Sequence, residues 1–172
     1  MNRTSYGLTL LAVAAALAVA GCGSSDDNGG AYGGKGETGA STKKGVTPAD
    51  TGGAFVSLAS VPKLGLVLVD SHGYTLYDFH KDKGTKSSCY GACAKVWPPL
   101  TTSATPQPSN GASAAKLGTA KRSDGTLQVT YAGHPLYTYV ADKKPGEANG
   151  NDFSSFGAQW YALKSSGQEA EG

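Results

Sequence analysis

A short pattern occurs twice in this chain, and the distance between its copies constrains the fold more than any other feature. Tyr77, Phe79 and Asp82 recur 60 positions on as Tyr137, Tyr139 and Asp142, and Gly73 and Leu76 recur at the same offset as Gly133 and Leu136. The stretch from about Leu64 to Leu100 thus has a shorter echo over about residues 124–163. In each copy the tyrosine and the second aromatic are two residues apart, so a β-strand directs both to one face, and Leu76 and Asp78 to the other. An isolated two-stranded hairpin is marginal in water, so each unit is expected to bury its tyrosine face against its twin. The expected fold is mainly β: one small domain, residues 54–163, of two related antiparallel hairpin units packed as a sandwich or open barrel.

What precedes residue 54 is not folding material. Residues 1–21 read as a secretory leader, with Arg3 as its positive start and Leu8 to Ala20 as an apolar core too short to span a bilayer comfortably. Its end, Val19-Ala20-Gly21-Cys22, resembles a bacterial lipobox, which implies removal of the leader and a lipid on Cys22. An ordinary leader with Cys22 incidental is the alternative; the fit at every lipobox position favours lipidation. The expected location is therefore the bacterial cell envelope, outside the cytoplasm, with the membrane as partner through Cys22. Residues 23–53 are Gly, Ser, Thr and charge with almost no apolar content, a flexible leash that cannot offset the entropy of ordering.

Without Arg3 the chain carries 14 basic and 13 acidic residues, a near-neutral balance that gives no nucleic-acid footprint. Gly 25 and Pro 8, with a single Met, fit a turn-rich β protein. Strand patterns run over Phe55 to Ser60, Leu64 to Val69 and Tyr74 to Phe79, the last returning after a Ser71-His72-Gly73 turn to complete a hairpin. A second hairpin is expected over Lys116 to Lys121 and Thr126 to Tyr131, followed by an echo strand Pro135 to Val140 and a last strand Gln159 to Leu163. Lys86 to Leu100 should leave the sheet, with Trp97 as a core anchor whose indole N–H needs an acceptor. The Thr101–Ala114 stretch reads as a connector, and 164–172 as a disordered tail.

These residues carry a resemblance. The copies Tyr77-Asp78-Phe79-His80-Lys81-Asp82 and Tyr137-Thr138-Tyr139-Val140-Ala141-Asp142 are flanked by Cys89-x3-Cys93, Trp97-Pro98-Pro99, Arg122-x-Asp124-Gly125 and Pro135-Leu136. Together they resemble the predicted bacterial lipoproteins with a Y-x-[FWY]-x-x-D motif, the secreted repeat of unknown function. The resemblance covers roughly Leu64 to Leu163. It implies an exported or lipid-anchored tandem-repeat domain with no established activity.

Three sets of side chains are candidates for chemistry. Paired aromatics with Asp82 and Asp142 could form a carbohydrate or peptide surface, or supply acid and base; packing of the rings and bracing of turns by the aspartates is the favoured reading. Cys89 and Cys93 read as a disulfide, since an exported chain meets an oxidising compartment. The runner-up is an envelope redox or copper-handling site in which reduced Cys89 and Cys93 hold copper with His72, His80 or His134. Glu147, Asn149, Asn151 and Asp152 offer calcium-type oxygens without the regular ligand spacing, so a solvated loop is expected. The combined expectation is a non-catalytic binding or structural module with no cofactor and an unknown envelope or extracellular partner.

Overall fold

The computed structural model describes residues 52–172. The leader 1–21, Cys22 and all but the last two residues of the 22–53 linker lie outside the described residues. In chain order the elements are β1 (Phe55–Val61), β2 (Gly65–Val69), β3 (Tyr77–Phe79), α1 (Ala92–Val96), β4 (Thr101–Thr102), β5 (Gln107–Pro108), a 3₁₀ turn (Ala114–Lys116), β6 (Leu117–Lys121), β7 (Leu127–Tyr131), β8 (His134–Pro135), β9 (Phe153–Ser155) and β10 (Ala158–Ala162). They form three small open sheets, ordered β2-β1-β5, β3-β10-β9 and β4-β7-β6, with β8 also on β7. The protein is mainly β, as its repeat and turn content predict.

Of the two expected hairpins the second is present as β6 with β7, while the first forms between β1 and β2 in place of the expected return of Tyr74 to Phe79 along Leu64 to Val69. β1 pairs antiparallel with β2, Ser57 opposite Val69, across a turn that needs positive φ at Lys63 and Gly65. β6 pairs with β7, Gly118 opposite Thr130, across a turn in which Gly125 has φ 88°. Each hairpin contributes the same kind of inward aliphatics, such as Leu68 and Val129, to a cluster that also holds Leu76, Leu136 and Leu163.

The tyrosine strands depart from the expectation. Tyr74 to Phe79 returns onto β2 at a single bridge, Val69 to Thr75, and through Leu76 N–H to Leu68 C=O. Beyond that point β3 leaves its own hairpin and pairs with β10 of the second repeat, Tyr77 opposite Ala162 and Phe79 opposite Trp160. The echo strand shrinks to β8 and a bridge at Tyr137, because Pro135 has no N–H and the next residues hydrogen bond elsewhere. Thr138 N–H goes to Pro98 C=O and Val140 N–H to Val96 C=O, both in the first repeat. Strand pairing across the repeats brings both ring-bearing faces into one cluster with Trp97, Trp160 and the cystine.

The C-terminal residues correct a second expectation, since 164–172 is docked rather than disordered. Lys164 N–H donates to Gln168 C=O, Ala170 N–H to Ala162 C=O at 2.7 Å, and Leu163 bridges Glu169. The Tyr131 hydroxyl donates to Ser165 C=O at 2.9 Å, and the Ala170 side chain is buried in the aromatic cluster. One small apolar residue in a polar run leaves little sequence signal, which is why this docking was not expected. At the other end Gly52, counted in the linker, already accepts from Ser103 N–H and Oγ.

Candidate functional site

The repeat motif meets at the centre of the molecule, where Tyr77 and Tyr137 face each other in a reciprocal bridge: Tyr77 N–H to Tyr137 C=O at 2.9 Å, Tyr137 N–H to Tyr77 C=O at 3.0 Å. Equivalent residues exchanging both bonds define a local twofold relation between the repeats. The side chains obey it. The Tyr77 hydroxyl donates to Asp142 Oδ2 at 2.6 Å, and the Tyr137 hydroxyl to Asp82 Oδ2 at 2.7 Å. Each motif tyrosine therefore meets the aspartate of the other repeat. The second oxygen of each aspartate braces its own turn, Asp82 Oδ1 accepting from Ser88 N–H and Oγ, and Asp142 Oδ1 from Asn149 N–H.

The rings follow the same symmetry. Tyr139, Trp97, Trp160 and Phe79 form one stack, with centroids 4.0, 3.9 and 4.0 Å apart, in which residues of the second and first repeats alternate. Tyr77 meets the edge of Trp97, and Tyr137 the edge of Trp160, at interplanar angles of 79° and 86°. Trp97 N–H finds the expected acceptor in Ser155 Oγ at 3.1 Å. Gly150 lies so close to this stack that an added Cβ would sit 2.6 Å from the Trp97 ring.

Burial is the first cause of the raised pKa of both phenols, with hydrogen bonding to Asp142 for Tyr77 and the charge of Asp82 for Tyr137 adding to it. Burial also raises Asp82 and Asp142, opposed by the donors they receive. The hydroxyls stay protonated and donating at neutral pH. These groups hold the halves together, and their rings and carboxylates offer neither a carbohydrate platform nor an open acid–base pair.

Cys89 and Cys93 form a disulfide, with Cys89 fully buried. The clip loop is gripped from the second repeat by Arg122, which donates to Cys89 C=O at 2.7 Å, Ser87 Oγ at 2.9 Å and Gln128 Oε1, and lies over the Tyr90 ring. The sulfur-and-histidine copper set is not assembled, because the two sulfurs are bonded to each other and His72 lies at an exposed turn beside Ser71 and Asp70. The calcium-type oxygens are also engaged: Glu147 accepts from Lys143 N–H, Asn151 Oδ1 from Ala162 N–H, and Asp152 Oδ1 from Gln159 and Tyr161.

His80 and His134 line one groove, each beside a different carboxylate. Asp78 and His80 stand on the strand face opposite Tyr77 and Phe79, beside β8 and the docked C-terminus, in a groove of about 280 Å³. His134 Nδ1 lies 3.2 Å from Asp78 Oδ2, and His80 Nε2 lies 2.6 Å from Glu169 Oε1. Hydrogen bonding to Asp78, against some desolvation, raises the His134 pKa. Asp78 is buried, and its Oδ1 is the buried side-chain oxygen among the described residues that has no hydrogen-bond partner. The alternation of Leu76, Asp78 and His80 could have placed two of these residues together; Glu169, in a polar tail, carried no signal.

A family model described as a secreted repeat of unknown function matches residues 59–101 and 118–164. The chain belongs to that family. The matched segments bracket the two copies of the tyrosine motif, so membership and the twofold core rest on the same residues. Membership in the secreted-repeat family indicates an extracytoplasmic location, where a buried cystine is at home. No curated relative and no solved structure matches the chain. Among the described residues no helix is long and apolar enough to cross a membrane.

Proposed function

We propose that this secreted-repeat protein is a lipid-anchored component of the bacterial cell envelope, acting as a non-catalytic binding module whose working surface is the groove of Asp78, His80, His134 and Glu169. The reciprocal tyrosine–aspartate exchange carries the reading. Both motif carboxylates are taken up internally, by a phenol of the other repeat and by their own turns, and neither is left to act as a general acid or base. The groove, by contrast, gathers polar side chains from both repeats and the C-terminus at the surface.

Anchoring is supported by the lipobox pattern at Val19 to Cys22. Acyl chains contribute about 0.8 kcal/mol per buried CH₂, so release would be slow. Thiol redox work at Cys89 and Cys93 is disfavoured, since Cys89 is sealed in the aromatic cluster. The test is fractionation of cells expressing the full chain. The wild type should stay with membranes and Cys22→Ser should move to the soluble extracytoplasmic fraction; identical distribution of the two would contradict anchoring.

A further inference from the structure

The least satisfied group in the described protein is the Asp78 carboxylate. Leaving a buried acceptor without a partner costs about 1–3 kcal/mol, more for a charged group, and native proteins seldom do so without a reason. Asp78 Oδ1 is such an atom, on a side chain only 3% exposed. The groups around it explain what would satisfy it. Donor atoms of Asp78, His80 and Glu169 all lie within 4.8 Å of one another, and His134 Nδ1 is 3.2 Å from the other Asp78 oxygen.

From the geometry, and building on the binding-module reading, we propose that this groove holds one divalent first-row transition-metal ion through the imidazoles of His80 and His134 and the carboxylates of Asp78 and Glu169. The donor set decides the class of ion. Two imidazoles with two carboxylates suit zinc(II) or copper(II), whereas calcium and magnesium take oxygen alone and copper(I) prefers sulfur, here locked in the disulfide. Tetrahedral ligands at 2.0–2.2 Å stand about 3.4 Å apart, so the donors of Asp78, His80 and Glu169, within 4.8 Å of one another, need only a small inward movement, while His134, paired with Asp78 Oδ2 outside that group of three, has to swing further to join them. The side chains that must move are free to do so: His80 is 37% and Glu169 41% exposed, at the rim, while Asp78 is fixed at the floor.

Two features argue that the cluster is more than a surface ion pair. Asp82 also lines the groove, yet both its oxygens are engaged, by Tyr137 and by Ser88, which leaves Asp78, His80 and Glu169 as the convergent set with His134 held against Asp78. The repeat-related position carries no second such set, because the counterparts of Asp78 and His80 are Thr138 and Val140 in the second repeat. The expected stoichiometry is therefore one ion per chain.

The test is calorimetric titration of the full chain, purified without a polyhistidine tag and stripped with chelator, using Zn²⁺, with Cu²⁺ in parallel for electron paramagnetic resonance. The expected result is one saturable site, nitrogen hyperfine structure from two imidazoles, and affinity weakened by about tenfold or more in each of His80→Ala and Glu169→Gln. Both variants lie at the rim and leave the buried Asp78 in place, so unchanged melting is expected of them without metal. Absence of saturable binding by the wild type, or unchanged affinity in both variants, would overturn the metal site. Neither result bears on anchoring, which is read from the release of Cys22→Ser.

Discussion

The first and second repeats share the residues that join them and differ in the residues between. Tyr77, Phe79 and Asp82 correspond to Tyr137, Tyr139 and Asp142, and each set is buried against the other. The interleaved Asp78 and His80 correspond to Thr138 and Val140; Thr138 is turned to Pro98 C=O and Val140 is exposed. Because strand side chains alternate, the motif positions set the inward face and the intervening positions are free to vary. The surroundings differ too. The Tyr137 hydroxyl meets Ser87 of the cystine-clipped loop, while the Tyr77 hydroxyl meets Gly150 N–H in the second half, which has no clip. A twofold scaffold thus permits one half to specialise while the other supplies its matching surface.

The comparison breaks most readily by separating the halves. A chain ending at Leu100 would expose the Tyr77 face and lose β10, so it is expected to show no cooperative unfolding by circular dichroism. Next in size is the ring stack. If it is symmetric in energy as in geometry, Trp97→Ala and Trp160→Ala should each destabilise by about 3–5 kcal/mol in urea titrations. A large difference between the two would mean that one half dominates the core.

The clip belongs to one half alone, and its loop is short. Replacing Cys89 and Cys93 together by serine should therefore cost only about 2 kcal/mol and leave Zn²⁺ binding in the groove unchanged. The smallest expected effect is a pH slope. Burial, with the nearby Glu147 charge, raises the Asp142 carboxyl, so the folded state takes up its proton before the unfolded chain does, whose aspartates titrate near about 3.9. This group's contribution to stability rises as pH falls through the folded value and levels off below the unfolded one. Comparing melting temperatures of wild type and Asp142→Asn across mildly acidic pH should show that part of the slope missing in the variant.

Much of this was readable from the residues. Turn and strand patterns gave the β6–β7 hairpin, the alternation of Leu76 with Tyr77 gave the division between two clusters, and export gave the disulfide. The exchange between repeats was not readable, because a repeat states which residues are equivalent and not which copy each one touches. Trp97 and Trp160 escaped notice as equivalents because they stand 63 apart instead of 60, an insertion that hides them from the motif register. Arg122 was visible only as a flanking residue; its burial depends on the clip loop folding over it. The groove is half legible: the histidines stand out as ligand candidates beside the cysteines, but nothing along the chain brings Glu169 to His80.

Coupling between the halves is measured most directly by a double-mutant cycle on folding free energy. Tyr77→Phe with Asp142→Ala, a pair from different repeats, should show a coupling energy of about 1–3 kcal/mol, whereas Tyr77→Phe with Asp82→Ala, from the same repeat, should be additive to within about 0.5 kcal/mol. Additivity in the first pair, or equal coupling in both, would contradict the exchange on which this account of the molecule stands.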